Sequence, residues 1–363
     1  MGQLEGLKVL DLTSFIPGPF LTLALADHGA QVTKIEMPPG GDAYRQTGLA
    51  QGGHTALFRA YNRGKDSLAL NLKDPADRAR FLALADDADV IVEGARPGVA
   101  RRLGVDYDTI SARNPRIVYC SISAFGQDGP DVARPAHDLG LAGATGFLSM
   151  NLGSDGRPTI PAIPVSDVTA GLFGLSGVLM ALLGRERTGK GDFLDISMQE
   201  TLLASMLNIL PPALTEDRQP DPRQERTTGG AAFYALYDCA DGRQIALAGQ
   251  EPKFVTALLG HLGRTDLADL CQSPGPHQAP VFALLTQTFG EMTASEAGAL
   301  CDRLDLCWGP VNSLPEALVD PQIVARGLIL TAPDGTRHVG TPIRFRNQPA
   351  DLSLDAPQLD ADA

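Results

Sequence analysis

Between residues 7 and 123 the chain keeps switching between two hydrophobic periods, and that switching leaves few folds open. Short apolar runs of strand length occur at residues 7–12 (LKVLDL), 31–36 (QVTKIE), 89–93 (DVIVE) and 117–123 (IVYCSIS). Helical spacing fills the intervals. Residues 19–28 (PFLTLALADH) open on proline and stop before Gly29, and residues 76–86 space Ala, Phe and Leu along one face. Strands interleaved with helices at this spacing predict a parallel sheet covered on both faces. The expected class is therefore α/β, with a large, doubly wound (Rossmann-like) domain.

The rest of the chain changes character. Residues 168–183 are apolar on nearly every side, which predicts a helix buried in a large core or an interface. The stretch 214–230 (LTEDRQPDPRQERTTGG) breaks both periods and reads as a linker. Runs at 233–238 and 244–248 then flank Asp241-Gly242, a hairpin turn signal. Helical runs follow near 253–263 and 279–304. The expected division is a large domain over 1–200, a smaller α+β domain with its linker over 201–325, and a return to the large domain over 326–363. The acidic end after about 349 is expected to fray.

Length and charge narrow the function. A chain of 363 residues exceeds one compact core, which again favours two domains. No uninterrupted apolar run reaches the ~20 residues that span a bilayer, and the first residues lack a signal-peptide pattern. No membrane partner and a cytoplasmic location are expected. A net charge of −13 argues against nucleic acid, since phosphate neutralisation needs a basic surface. An anionic small ligand would need a local basic cluster. The five cysteines form no CxxC pair, so neither a disulfide framework nor a metal site is expected.

A doubly wound start suggests a nicotinamide site, but the first strand-to-helix turn, TSFIPGP, lacks the Gly-x-Gly-x-x-Gly loop. Basic residues do cluster, in Asn62-Arg63-Gly64-Lys65 and in Arg96-Pro97-Gly98, the latter just after the strand ending DVIVEG. Strand C-termini are where open α/β sheets bind ligands, so these groups could hold phosphates; ordinary solvated loop charge fits the spacing equally. His137 precedes Asp138 in a glycine-rich region, Asp167 opens the apolar helix, and Glu251 stands before Pro252. Each also has a plain structural reading, as an exposed polar residue or a helix cap.

Taken in order, the motifs resemble the family that groups the family III CoA-transferases with the 2-methylacyl-CoA racemases. The resemblance rests on LEGLKVLDLT, PGPFLTLALADHGAQVTKIEMPPGGD, YNRGKDSLALNLK, ARPGVARRLGVDYD, ISAFGQDGP and LLGRERTGKGDFLDISMQETLL, running from about residue 4 to 348. It implies an interlocked homodimer acting on an acyl-CoA thioester, with no cofactor beyond the coenzyme A of its substrate. It places the CoA phosphates near Arg63, Lys65 and Arg96, flanked by Asn62 and Gly98. Asp167 in PVSDVTAG matches the aspartate that transferases use as nucleophile. Racemases use that position as one of two bases, with a histidine, matched by His137, as the other and a glutamate, matched by Glu251, in support. Ala136 replaces a glycine of the racemase pattern, Leu139 and Gly140 stand where it has Asn and Tyr, and Ile163 stands where it has Asn.

The motifs favour racemisation over CoA transfer. Racemisation removes a weakly acidic α-proton to give an enolate, so it needs bases on both faces and donors aimed at the thioester oxygen. His137 and Asp167 would supply the faces, Glu251 would orient the imidazole, and backbone N–H groups at the helix start near Asp167 would face the oxyanion. In the alternative, Asp167 attacks the thioester and CoA passes to a second carboxylate.

Overall fold

The computed structural model describes residues 2–51 and 53–359. The chain divides into two compact units. The first comprises Met1–Thr145, Pro161–Ser205 and Pro321–Ala363, and the second Gly146–Ile160 and Met206–Asp320. Against the expected junctions at 200/201 and 325/326, the units meet at 205/206 and 320/321, and residues 146–160 leave the large unit, folding back on themselves through a bridge between Leu152 and Pro158.

A six-stranded parallel sheet organises the first unit. Its strands are β1 (Lys8–Leu12), β2 (Gln31–Glu36), β3 (Asp66–Ala69), β4 (Val90–Glu93), β5 (Val118–Ser123) and β6 (Phe193–Ser197). Their spatial order is β3-β2-β1-β4-β5-β6, with every neighbouring pair parallel. This doubly wound order reverses direction between β1 and β4, which opens a crevice at the strand C-termini. The strands are buried on both faces. Val9, Val32, Val90, Val92, Val118 and Cys120 fill one core layer, and Leu10, Ile35, Ile91, Ile117 and Tyr119 the other.

Four helices position the site. They are α1 (Pro17–Asp27), α2 (Ala56–Asn62), α3 (Asp138–Ala144) and α4 (Val165–Thr188). Helix α4 packs on α1 and on the sheet. A side chain at Gly171 would meet the Pro17 carbonyl at 2.8 Å, so only glycine allows this approach. Ala170, Gly174 and Val178 complete the inner face. The outer face differs from the expectation of burial all round: Leu172, Phe173, Leu179, Met180 and Leu183 are exposed. By length and composition α4 is the one helix among the described residues that reaches membrane-spanning values, yet its inner face is covered by the sheet core.

The end of the chain returns to this unit. His28 Nε2 lies 3.2 Å from the Thr341 hydroxyl. The stretch 350–359 has no regular structure but does not fray as expected. The Asp355 carbonyl accepts from Gly64 N at 2.8 Å, and the Pro357 carbonyl from Arg45 at 2.9 Å. Residues 360–363 lie outside the described residues.

The second unit is a three-stranded antiparallel sheet with helices. Strands β7 (Ala235–Asp238) and β8 (Gln244–Leu247) pair antiparallel across the Asp241-Gly242 turn, and β9 (Trp308–Pro310) adds to β8. The helical pattern expected over 279–304 is two helices, α5 (Ala279–Gly290) and α6 (Ala294–Arg303). Thr293 and Glu296 form a capping box that starts the second, which is why the pattern breaks there. Phe233, Tyr237, Leu258, Leu285, Phe289 and Leu300 centre its core.

Candidate active site

The crevice predicted by the strand order is occupied by a cavity of about 360 Å³ in the first unit. Its walls come from the β1–α1 turn (Thr13, Ser14, Phe15), from the loop after β4 that carries Arg96, and from the segment leading into α3 that carries His137. Asp167 closes it from the first turn of α4. His137 and Asp167, 30 positions apart in sequence, thus line one cavity.

The residue between them in function is Asp138, which the sequence did not single out. Its carboxylate accepts from Ser166 N and Ser166 Oγ at 2.7 Å each, and from Asp167 N at 3.4 Å. Asp138 therefore caps α4 from another element and ties the segment bearing His137 to the turn bearing Asp167. A link across 28 residues leaves no local pattern to detect. The cap also corrects the expected oxyanion donors. The N–H groups of Ser166 and Asp167 are occupied by Asp138, and that of Val168 by the Pro164 carbonyl.

The Asp167 carboxyl receives no hydrogen bond from any described residue. Burial pushes it up to about 7, and the negative charge of Asp138 adds to the rise. The His137 ring is exposed, at the N-cap position of α3, and meets the Phe15 ring edge-on at 6.0 Å between centroids. Phe15 itself adopts a left-handed backbone with φ 66°, unusual for a bulky residue and found mostly where the surroundings over-determine it.

What over-determines this turn is a buried ionic network. Asp11, at the end of β1, accepts from the backbone and hydroxyl of Thr13, from the Thr22 hydroxyl at 2.6 Å and from Lys65 at 3.0 Å. Lys34 is fully buried and holds the Thr13 carbonyl at 2.8 Å and Asp42 at 2.9 Å. Burial alone would raise the Asp11 carboxyl. The charges of Lys65 and Lys34 and the two threonine hydroxyls outweigh it and hold Asp11 well below the usual carboxylate range. Gly18 completes the turn, since a Cβ there would fall 2.2 Å from the Thr13 side chain.

This network corrects the expected phosphate site. Lys65 is 4% exposed, and its ammonium is taken by Asp11, Thr22, Asn62 and the Pro19 carbonyl. Burial lowers it to about 8 despite Asp11. Arg63 is 2% exposed and paired with Asp27 at 2.6 Å, and Asn62 is buried against Lys65 and the Phe58 carbonyl. These three hold the fold together rather than presenting donors to a ligand. In sequence, a basic loop and a buried ion-pair cluster look alike, because the partners Asp11 and Asp27 lie far upstream. Arg96, by contrast, is exposed and reaches the cavity with no ionic partner among the described residues. Gly98 follows it in a left-handed conformation, φ 83°, at the start of a short helix (Val99–Leu103). Glu251 belongs to the second unit, exposed at the N-cap position of the helix Pro252–His261. The five cysteines are unpaired, and no described cluster of His, Cys, Asp and Glu has the makings of a metal site.

A second cavity of about 200 Å³ lies at the C-terminal ends of β1 to β4, lined by Leu12, Ile35, Met37, Leu70, Leu72 and Tyr119 among others. Three carboxylates, Glu36, Asp42 and Glu93, stand among its apolar side chains, and it shares Thr13, Ser14 and Ala95 with the first.

A buried carboxyl without protein donors, at the crevice of a parallel sheet, can serve as a nucleophile or a base. Comparison with known proteins identifies the group. Residues 4–363 match the model of CoA-transferase family III, and the chain belongs to that family. It is 34% identical to the acetyl-CoA:oxalate CoA-transferase of Acetobacter aceti, over 95% of this chain and 89% of that one. Further relatives at 30–31% identity are succinyl-CoA:glutarate and succinyl-CoA:mesaconate CoA-transferases. It is also 32% identical to the alpha-methylacyl-CoA racemase of Homo sapiens, over 98% of this chain and 88% of that one. Among solved structures, a CaiB/BaiF family protein from Brucella suis is 29% identical and superposes with a TM-score of 0.83, covering 99% of this chain and 96% of the other. The chain is thus an enzyme of a family that acts on acyl-CoA thioesters.

Proposed function

We propose that the protein moves coenzyme A from an acyl-CoA thioester to a free carboxylic acid, with Asp167 as nucleophile. The observation that carries this is the Asp167 carboxyl, which stands on the cavity wall with no donor to quench it. Once ionised it attacks the thioester carbonyl. The CoA thiolate leaves, and the acyl group is held as a mixed anhydride on Asp167. The thiolate then attacks the Asp167 carbonyl, releasing the first acid and leaving an aspartyl-CoA thioester. The carboxylate of the second acid attacks that thioester, giving a new anhydride and the thiolate once more. Attack of the thiolate on the new acyl carbonyl yields the product thioester and frees Asp167. The N–H groups of Ser14 and Phe15 make no hydrogen bond to the described residues and are the donors we assign to the oxyanion. Arg96, exposed and without an ionic partner among the described residues, would take a CoA phosphate.

The sequence motifs alone lean to racemisation. Two things move the assignment. The transferases dominate the relatives reported above, and Leu139, Gly140 and Ile163 depart from the racemase pattern. One observation keeps racemisation as the second reading: His137 and Asp167 line the same cavity, as a two-base exchange requires. His137→Ala separates the two. Transfer between acetyl-CoA or succinyl-CoA and oxalate or glutarate survives it if Asp167 acts alone. Deuterium uptake at the α-carbon that vanishes in His137→Ala would establish the racemase instead.

The homodimer also belongs here. The five apolar side chains on the outer face of α4 are still 41–71% exposed, and burying that remainder would release roughly 0.6–2 kcal/mol each; a second copy of the chain is the occupant we propose. A monomer by light scattering at micromolar concentration would refute it.

A further inference from the structure

Packed on Phe15 beside the cavity stands a tyrosine pair, one member of which, Tyr61, opens the YNRGKDSLALNLK motif. Tyr44 lines the cavity with Asp167. Its ring stacks on Tyr61 of α2, 6.2 Å between centroids and 28° from parallel, and meets Phe15 edge-on at 5.7 Å. Phe20 closes on the far side of Tyr61 at 6.5 Å. Both phenol hydroxyls lack a hydrogen-bond partner among the described residues. Burial raises both above the ordinary tyrosine range, and the Asp167 charge adds to the rise, after that of Tyr61 in the case of Tyr44. They are therefore neutral donors at any working pH. Neither bonds to Asp167; Tyr44 lines the cavity with it, while Tyr61 stacks on Tyr44 from outside the lining.

The pair is held in place. Tyr44 N donates to Asp42 at 2.8 Å, and Asp42 is the buried partner of Lys34, the same ammonium that fixes the Thr13 carbonyl. One lysine thus sets the spacing between the β1–α1 turn and the Tyr44 wall.

We propose that Tyr44, backed by the Tyr61 ring, forms the subsite for the free acid, its hydroxyl donating a hydrogen bond to the carboxylate that lies against Asp167. The inference rests on the transferase reading above. A carboxylate entering a half-desolvated cavity beside another carboxyl needs a donor that brings no proton equilibrium of its own, and a phenol meets that need. Acids small enough to place their carboxylate between Tyr44 and Asp167 are the substrate class. The CoA thioester, anchored elsewhere, owes little to this hydroxyl.

The test is Tyr44→Phe, Tyr61→Phe and the double variant, which keep the ring stack and remove only the donors. Two assays run in parallel: transfer kinetics with acetyl-CoA or succinyl-CoA against oxalate or glutarate, and calorimetric titration of the same acids into CoA-loaded protein. The subsite predicts that KM and Kd for the acid rise about tenfold or more in Tyr44→Phe, the loss of a hydrogen bond to a charged group. KM for the thioester and the thermal midpoint should hold within about threefold and about 2 °C. Wild-type transfer with acid KM and Kd unmoved in Tyr44→Phe overturns the subsite and leaves the transferase reading intact. So does an equal change in both KM values, the mark of a merely structural pair. Absence of both acid binding and transfer in the wild type removes the transferase reading, and the subsite with it.

Discussion

Asp167→Asn tests the electrostatics of the site without reference to substrate. The carboxyl titrates at about 7 in the folded protein against an ordinary 3.8. The unfolded chain therefore gives up its proton near pH 4, while the folded protein keeps it until about 7. A group raised in this way contributes its stability at low pH, and the contribution is lost as pH rises from 4 through 7. At ~1.4 kcal/mol per tenfold, the full penalty above pH 7 would be ~4 kcal/mol; water entering the open cavity reduces that to ~1–3 kcal/mol. Asparagine keeps the shape and never carries the charge. The variant should melt with the wild type near pH 4.5 and roughly 2–5 °C above it at pH 8, with the gap opening between those values. Scanning calorimetry across pH measures it. A variant no more stable than wild type at pH 8, or a gap indifferent to pH, would refute the argument that Asp167 is held in a desolvating, donor-poor position.

Further outcomes follow from the same geometry. If Asp167 must be ionised to attack, kcat/KM for the thioester rises with pH through about 7 and levels off above it; a flat profile between pH 5 and 8 counts against a nucleophilic Asp167. Lys65→Ala leaves Asp11 buried without its partner and should cost ~3–5 kcal/mol in urea denaturation. A normally stable Lys65→Ala protein with weakened CoA binding would return Lys65 to the phosphate site. Gly18→Ala forces a Cβ into Thr13 and displaces the β1–α1 turn, so activity should fall at least tenfold with modest loss of stability, and undiminished turnover would show that the turn plays no part in the chemistry.

Strands and helices were readable where burial imposes a period. The fully buried strands 90–93 and 118–123 of the sheet, and the Asp241-Gly242 hairpin, follow directly from apolar runs and turn residues. Helix α4 is readable as a helix but not as a face, because an apolar helix side left exposed and one turned into the core share a composition. The site was half readable. His137 and Asp167 are legible through the resemblance, and the structure brings both to the lining of one cavity. Asp138, Lys34 and Tyr44 carry no local signature, since each acts through partners 8 to 28 residues away or across the sheet. Arg63 and Lys65 show the converse. Their sequence reads as ligand-binding charge, while their partners, Asp27 and Asp11, turn them inward.

The central claim is chemical, and one experiment addresses it most directly. The protein is incubated in deuterated water with acetyl-CoA or succinyl-CoA and a free acid, oxalate or glutarate, and the thioesters and the intact protein are followed by mass spectrometry. The transferase account predicts a new thioester of the added acid, no deuterium at the α-carbon of the donor, and a CoA adduct on the protein that is absent in Asp167→Asn. Deuterium uptake by a 2-methylacyl-CoA without any new thioester, lost in His137→Ala, would contradict it and assign the site to two-base racemisation.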